Sequence, residues 1–239
     1  MKEGRRGKWL SYILTTLWLF SMGLAGFFVP YFTDNISFFK IKSLHVEGLE
    51  TIPPEVVAEE VRKLKNNWLF INESILHRNL NKVTGNSVAS VDINRNFANN
   101  GVKMDVIIKE RKPLFGVVMD DKMFLFDENG VEFNSPYIQT VPYIVYTHDM
   151  ELISDNFQNL KSLIVATGQS IGEIYVTKLN TIVYTKEGVK LTLPPVFLLE
   201  ENLIKNIVKI SKDYNIHMQV KEMEINTEGL VIIRSRKEK

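Results

Sequence analysis

The chain of 239 residues contains no cysteine. That excludes disulfides, thiolate metal sites and cysteine nucleophiles, and it suits an oxidising compartment. Gly-x-Ser-x-Gly is absent, as is any glycine-rich phosphate loop. The four histidines, His45, His77, His148 and His217, have no partner at i+3 or i+4 and no His-Glu-x-x-His spacing, so metal ligation is not expected. Glu200-Glu201 and Glu222/Glu224 are the nearest approach to an acid/base pair. The first pair reads as a helix start favoured by the helix dipole, the second as the solvent face of a strand. Asp120-Asp121 and Asp127-Glu128-Asn129-Gly130 lack the ligand ladder and distal Glu of a calcium loop and read as hairpin turns. No enzyme activity and no cofactor are expected.

Charge is missing from one long stretch. Between Trp9 and Thr33 there are 25 residues without an acid or a base. Roughly 20 apolar residues cross a hydrocarbon layer of about 30 Å. Trp9, Tyr12 and Tyr31 sit near the two ends, where amphipathic rings favour the headgroup layer. Residues 1–8 hold Lys2, Arg5, Arg6 and Lys8 against Glu3. By the positive-inside rule this tail stays in the cytoplasm and the chain from Asp34 onward is exported. Gly23-Leu24-Ala25 resembles a signal-peptide cleavage site, but the apolar run continues through Gly26-Phe27-Phe28-Val29. It exceeds the usual signal core of about 7–15 residues, so an uncleaved anchor over 9–33 is expected.

The whole chain has 29 Lys+Arg and 28 Asp+Glu; residues 1–8 hold four and one of them, leaving 25 and 27, a net −2. Nothing in that balance favours nucleic acid. The exported part is long enough for one large or two small cores, and neither an internal repeat nor a low-complexity linker interrupts it.

Residues 38–112 read as strand, two helices and a hairpin. Phe39 and Ile41, then Leu44 and Val46, alternate with polar residues, with a change of phase that predicts a bulge near Lys42-Ser43. Thr51-Ile-Pro-Pro-Glu55 opens a helix. Val57, Val61 and Leu64 form its buried stripe, and Leu76, Leu80 and Val83 repeat the spacing in a second helix. Ala89, Val91 and Ile93, then Val102, Met104, Val106 and Ile108, alternate as strands on either side of Asn99-Asn100-Gly101, a hairpin signal. The expected order is β-α-α-β-β. Residues 113–236 carry many short strands and two helical stretches, with apolar faces at Phe157, Leu160, Leu163 and Ile164 and at Leu203, Ile207 and Ile210. This predicts a mostly antiparallel sheet backed by two helices, so the exported chain is α+β. Residues 237–239 are a basic end.

The residues also carry a family resemblance. The basic tail, one membrane helix and Phe39-Lys-Ile-Lys-Ser-Leu-His-Val-Glu-Gly48 resemble the start of an FtsQ-type POTRA domain. Glu110-Arg111-Lys112-Pro113 is similar to the Glu-Arg-x-Pro junction of the FtsQ/DivIB bacterial division family. Lys122–Phe133, with Asp127 and Gly130, resembles its strand, Asp-x-x-Gly, strand hairpin; Gly188-Val-Lys-Leu-Thr-Leu193 resembles a late strand. The chain departs from that pattern at Leu193-Pro194-Pro195, at Met223-Glu-Ile-Asn226 and at Asn99-Asn100.

The resemblance implies a septal scaffold in the cytoplasmic membrane, single-pass with its bulk outside the cytoplasm. Its partners would be FtsB/DivIC-like and FtsL-like proteins, with others engaged through the POTRA domain. The alternative is an accessory protein of translocation or envelope assembly, where POTRA domains also serve.

One segment invites a partner. Glu228-Gly-Leu-Val-Ile-Ile-Arg-Ser235 reads as a terminal strand. Its four consecutive apolar residues suit a central strand buried on both faces, or an edge strand open to another chain. In the FtsQ family the similar segment is the last strand, to which a partner's short strand adds. The resemblance therefore implies a partner site at Asn226, Glu228, Gly229, Leu230, Val231, Ile232, Ile233 and Arg234.

Overall fold

A computed structural model of the chain describes residues 3–64, 68–69, 71–98, 101–215 and 220–235. The protein is α+β, with one N-terminal apolar helix and two sheets. Helix α1 (Glu3–Asn35) has 33 residues, about 50 Å at 1.5 Å per residue. Its segment Ser11–Val29 is long and apolar enough to cross a membrane, and the side chains there are exposed.

The chain divides after Glu110 into two compact units. The first contains β1 (Ile41–Glu47), α2 (Pro54–Lys63), the start of α3 (Glu73–Thr84), β2 (Val88–Ala98) and β3 (Gly101–Glu110). The order is β-α-α-β-β, and the sheet runs β1-β3-β2 with β1 parallel and β2 antiparallel to the central β3. The expected bulge lies between Ile41 and Ser43. Val102, Met104, Val106 and Ile108 of β3 are buried, as are Val57, Val61, Leu76 and Leu80 of the helices and Val91 and Ile93 of β2.

Three positions depart from the periodic reading. Leu64 is only partly buried, because α2 ends at Lys63 and Leu64 caps it. Val83 is 44% exposed, because the buried row steps four residues from Leu80 to Thr84 in the last turn. Ala89 is only partly buried while Val88 is fully so, since a bulge between Val88 and Ser90 shifts the phase. Asn99 and Asn100 lie outside the described residues, and the antiparallel ladder beside them runs to the pair Ala98 and Gly101.

The second unit comprises residues 81–87 and the chain from Arg111. In chain order it adds β4 (Pro113–Met119), β5 (Lys122–Asp127), β6 (Glu132–Phe133), β7 (Ile144–Thr147), α4 (Met150–Asp155), α5 (Phe157–Thr167), β8 (Ile171–Val176), β9 (Thr181–Thr185), β10 (Lys190–Leu193), α6 (Glu201–Asn215), β11 (Val220–Ile225) and β12 (Val231–Ser235). The nine strands form one sheet, ordered β12-β11-β10-β9-β8-β7-β4-β5-β6. Its pairings are antiparallel in five cases out of eight, but the sheet is mixed, because β4 with β7, β7 with β8 and β10 with β11 are parallel. Parallel neighbours need a crossover connection. Helices α4 and α5 supply it between β7 and β8, and α6 between β10 and β11. The unexpected third helix is α4, capped by the Asp149 side chain on the Leu152 amide.

One face of the sheet forms the core. Phe115, Phe126, Val145, Ile174, Val183, Leu191 and Met223 pack there against Ile153, Leu160, Leu163, Leu203 and Ile207 from the helices. The rings of Phe115, Phe126 and Phe157 stack with centroids 5.5–6.3 Å apart.

Candidate partner-binding edge

Short-range chemistry sets up the terminal hairpin. The Gly229 amide donates to the Asn226 carbonyl at 3.0 Å, with Gly229 at φ +78°. This is a tight turn with glycine in the left-handed region, a usual closure for a three-residue hairpin loop. The Asn226 side-chain oxygen accepts from the amides of Glu228 (3.0 Å) and Leu230 (2.8 Å), a role that favours Asn or Asp in turns. The Asn226 amide donates to the Leu230 carbonyl at 3.1 Å.

That last bond fixes the direction of every group along β12. In an antiparallel pair, hydrogen-bonded and non-bonded residue pairs alternate. The register pairs Ile225 with Val231, Glu224 with Ile232, Met223 with Ile233 and Glu222 with Arg234. Starting from the bonded pair Asn226 and Leu230, the amides and carbonyls of Ile232 and Arg234 face β11. Those of Val231 and Ile233 face the other way. Strand β12 stands at the end of the sheet order, and among the described residues no strand lies beyond it. The main chain of Val231 and Ile233 therefore presents two amides and two carbonyls along an open edge.

The side chains alternate at right angles to this. Val231 and Ile233 are partly buried and pack on the core, whereas Leu230 is 62% and Ile232 55% exposed. The exposed face continues across the sheet in registered rows. One runs from Ile232 through Glu224, Thr192, Ile182 and Tyr175 to Tyr146; the next from Glu222 through Lys190 and Tyr184 to Glu173. Lys190 and Glu222 are paired at 2.8 Å, and Tyr146 and Tyr175 stack at 4.6 Å. The Tyr175 hydroxyl donates to Glu173 at 2.9 Å, which raises its pKa.

The fold thus brings Asn226 and 228–234 into one hairpin. Asn226 and Glu228 are exposed turn residues and Gly229 supplies the left-handed position, while Leu230 and Ile232 are the outward apolar pair. The basic residues Arg236, Lys237 and Lys239, and His217, lie outside the described residues. Among the described residues no group of three His, Cys, Asp or Glu side chains is placed to hold a metal ion.

In the sequence Glu110 and Arg111 stand only as parts of a junction motif, and Asp127 as a hairpin-turn residue. Glu110 closes β3 and its carboxylate accepts from the amides of Glu50 (2.8 Å), Thr51 (3.0 Å) and Ile52 (3.0 Å) and from the Thr51 hydroxyl (2.5 Å). Burial acts to raise its pKa, but these bonds from Thr51, Ile52 and Glu50 outweigh it and hold the carboxyl below the ordinary range. In the second unit, Arg111 donates to the Asn86 carbonyl (3.0 Å) and to Asp127 (2.7 Å). Asp127 also accepts from the amides of Asn129 and Val131, both at 2.9 Å, which makes it a turn residue. The adjacent residues Glu110 and Arg111 each tie into their own unit.

No family model matches the chain. An uncharacterized protein of Aquifex aeolicus (strain VF5) is 25% identical over 207 residues, 87% of this chain and 92% of that protein. Cell division protein DivIB of Clostridium acetobutylicum is 30% identical over 102 residues, 41% of this chain and 37% of that protein. The first similarity covers most of the length and supplies no role. The second relates part of the chain to a division protein.

Proposed function

We propose that the chain is a single-pass scaffold of the bacterial division machinery, of the FtsQ/DivIB kind. In this reading α1 anchors it in the cytoplasmic membrane with residues 1–8 inside. Residues 38–112 serve as a POTRA domain and the mixed-sheet unit holds partners outside the cytoplasm at the septum. The partners are other membrane-anchored division proteins, of the FtsB/DivIC and FtsL kinds. A short strand from one of them adds to β12, main chain to main chain, and further division proteins meet the POTRA domain. The observation that carries this reading is the open edge of β12, taken with the partial similarity to DivIB.

The mechanism is β-augmentation. Main-chain hydrogen bonds supply affinity and alternate side chains supply selectivity. Val231 and Ile233 offer the main-chain groups, while Leu230 and Ile232 offer an apolar surface beside them. Anchoring both proteins in one membrane raises their effective concentration without any new contact.

Photo-crosslinking from single positions tests it in the living cells that make the protein. A crosslinkable residue at Leu230 or Ile232 should capture a membrane-anchored division protein, and one at Leu179, exposed on a loop far along the sheet order, should not. Equal capture from Leu179, or no division protein captured at Leu230 and Ile232, would remove the reading.

A further inference from the structure

In the first unit, four aromatic rings from three separate segments meet. Phe38 and Phe39 follow α1, Trp68 lies between α2 and α3, and Phe97 lies near the end of β2. Trp68 is 5.1 Å from Phe97, 6.0 Å from Phe39 and 6.3 Å from Phe38 between centroids, and Phe38 stacks on Phe97 at 6.2 Å. The main chain locks the group. The Trp68 amide donates to the Phe39 carbonyl and its indole N–H to the Phe38 carbonyl, both at 3.2 Å.

This cluster is not sealed. Phe97 is 56% and Phe38 41% exposed, and their chain neighbours Ile36 and Leu69 (next to Trp68) are 47% and 43% exposed. Of the large apolar side chains exposed between residues 36 and 110, only Val83 and Ile107 lie elsewhere among the described residues. Exposed apolar surface concentrated in one place marks an interaction site.

The chain itself says what covers it. The candidate membrane span ends at Val29, the charge-free stretch at Thr33 and α1 at Asn35. Phe38 is thus five to nine residues beyond the apolar boundary; the helical part of that stretch, to Asn35, rises about 3–9 Å, and Phe38 follows three residues later. The polar layer of a bilayer is about 5–8 Å deep on each side. Aromatic rings with an apolar body favour that layer. We infer that the Phe38, Phe39, Trp68 and Phe97 cluster seats in the outer headgroup layer of the membrane that α1 spans, and so holds the first unit against the lipid surface. The inference rests on the reading of α1 as a membrane anchor.

The test uses the full chain in phosphatidylcholine vesicles and two single-tryptophan proteins. Trp9→Phe with Trp18→Phe leaves Trp68; Trp9→Phe with Trp68→Phe leaves Trp18, inside the span. Each is measured with nitroxide lipids labelled either near the headgroup or at the acyl-chain end. The headgroup-proximal label should quench Trp68 severalfold more than the chain-end label does, and the chain-end label should quench Trp18. Trp18 quenched with Trp68 unaffected by either label would overturn the inference while leaving the anchor intact. That is the outcome expected if a second copy or a protein partner covers the cluster instead. Neither tryptophan quenched would overturn the anchor reading, and the inference with it.

Discussion

Glu110 offers the sharpest test of how the first unit is held together. The residue is only 7% exposed, and its carboxylate gathers the amides of Glu50, Thr51 and Ile52, the turn that leads into α2. Glu110→Ala removes the acceptor for all three. Glu50 and Thr51 are exposed, so water replaces the carboxylate there, but Ile52 is buried at 2%. One buried amide left unpaired costs about 1–3 kcal/mol, and loss of charge-assisted bonds to the other two adds about 1 kcal/mol, giving a total of about 2–4 kcal/mol. Glu110→Gln keeps one acceptor oxygen and should cost about half as much.

The charge adds a pH dependence with a definite sign. The folded-state pKa lies below the ordinary 4.5. The contribution is therefore complete above pH 4.5 and fades as the pH falls from there through the lower folded value. The gap between wild type and Glu110→Gln should narrow over that acid window and stay constant above it. Urea unfolding of the full chain in detergent gives the stability difference. Amide exchange at Ile52 gives the local effect, since that buried N–H loses its acceptor in Glu110→Ala and should exchange faster than in the wild type. An unchanged unfolding midpoint together with unchanged exchange at Ile52 would refute the account.

Asp127→Asn keeps the acceptor for the Asn129 and Val131 amides but strips the charge from a pair with Arg111 whose side chains are 14% and 6% exposed. Breaking such a buried pair should cost about 3–5 kcal/mol by thermal or urea unfolding, and Arg111→Met in the same chain should recover part of it. Leu80→Ala, at a site with no exposure, should cost about 2–5 kcal/mol; an unchanged melting transition would mean that the α3 stripe is not core. Val231→Pro removes an amide that faces away from β11, so the hairpin should stay folded while binding of a partner strand is lost; Ile232→Pro instead breaks the β11–β12 ladder and should lower stability. A folded Val231→Pro protein that binds normally would exclude this edge as the site.

Periodicity made much of the fold legible. The stripe at Val57 and Val61, the pair Leu76 and Leu80, and the run Val102, Met104, Val106 and Ile108 are local patterns, and local patterns report which face is buried. Val83 and Ala89 failed where a helix end or a bulge broke the period. The mixed sheet was not legible, because which strands become neighbours depends on crossovers through α4, α5 and α6 rather than on the strands' own residues. Glu110 was visible as a motif, but its partners lie 58–60 residues away. No spacing rule reaches that far. The site was half legible for the same reason. Four apolar residues from Leu230 to Ile233 suit an edge or a centre equally, and only the sheet order places β12 at the end.

The two ends of that sheet are treated differently, and the contrast is informative. Edge strands endanger a soluble protein because they template pairing, and short edges are one defence. Strand β6 uses it, with two residues, Glu132 and Phe133, against β5. Strand β12 does not. It has five residues, Ile232 is exposed with Leu230 beside it, and the alternation of the ladder turns the main chain of Val231 and Ile233 outward. An edge meant to stay alone gains nothing from exposed apolar side chains next to unpaired main chain. It gains from them if a second strand is to arrive, since the same side chains then become the contact surface for that strand's alternate residues. The hairpin turn favours this arrangement in advance, because Asn226 and Gly229 fix the strand's start before any partner is present. Less ordering is then left to the binding step, and preorganisation of that kind strengthens binding without enlarging the interface.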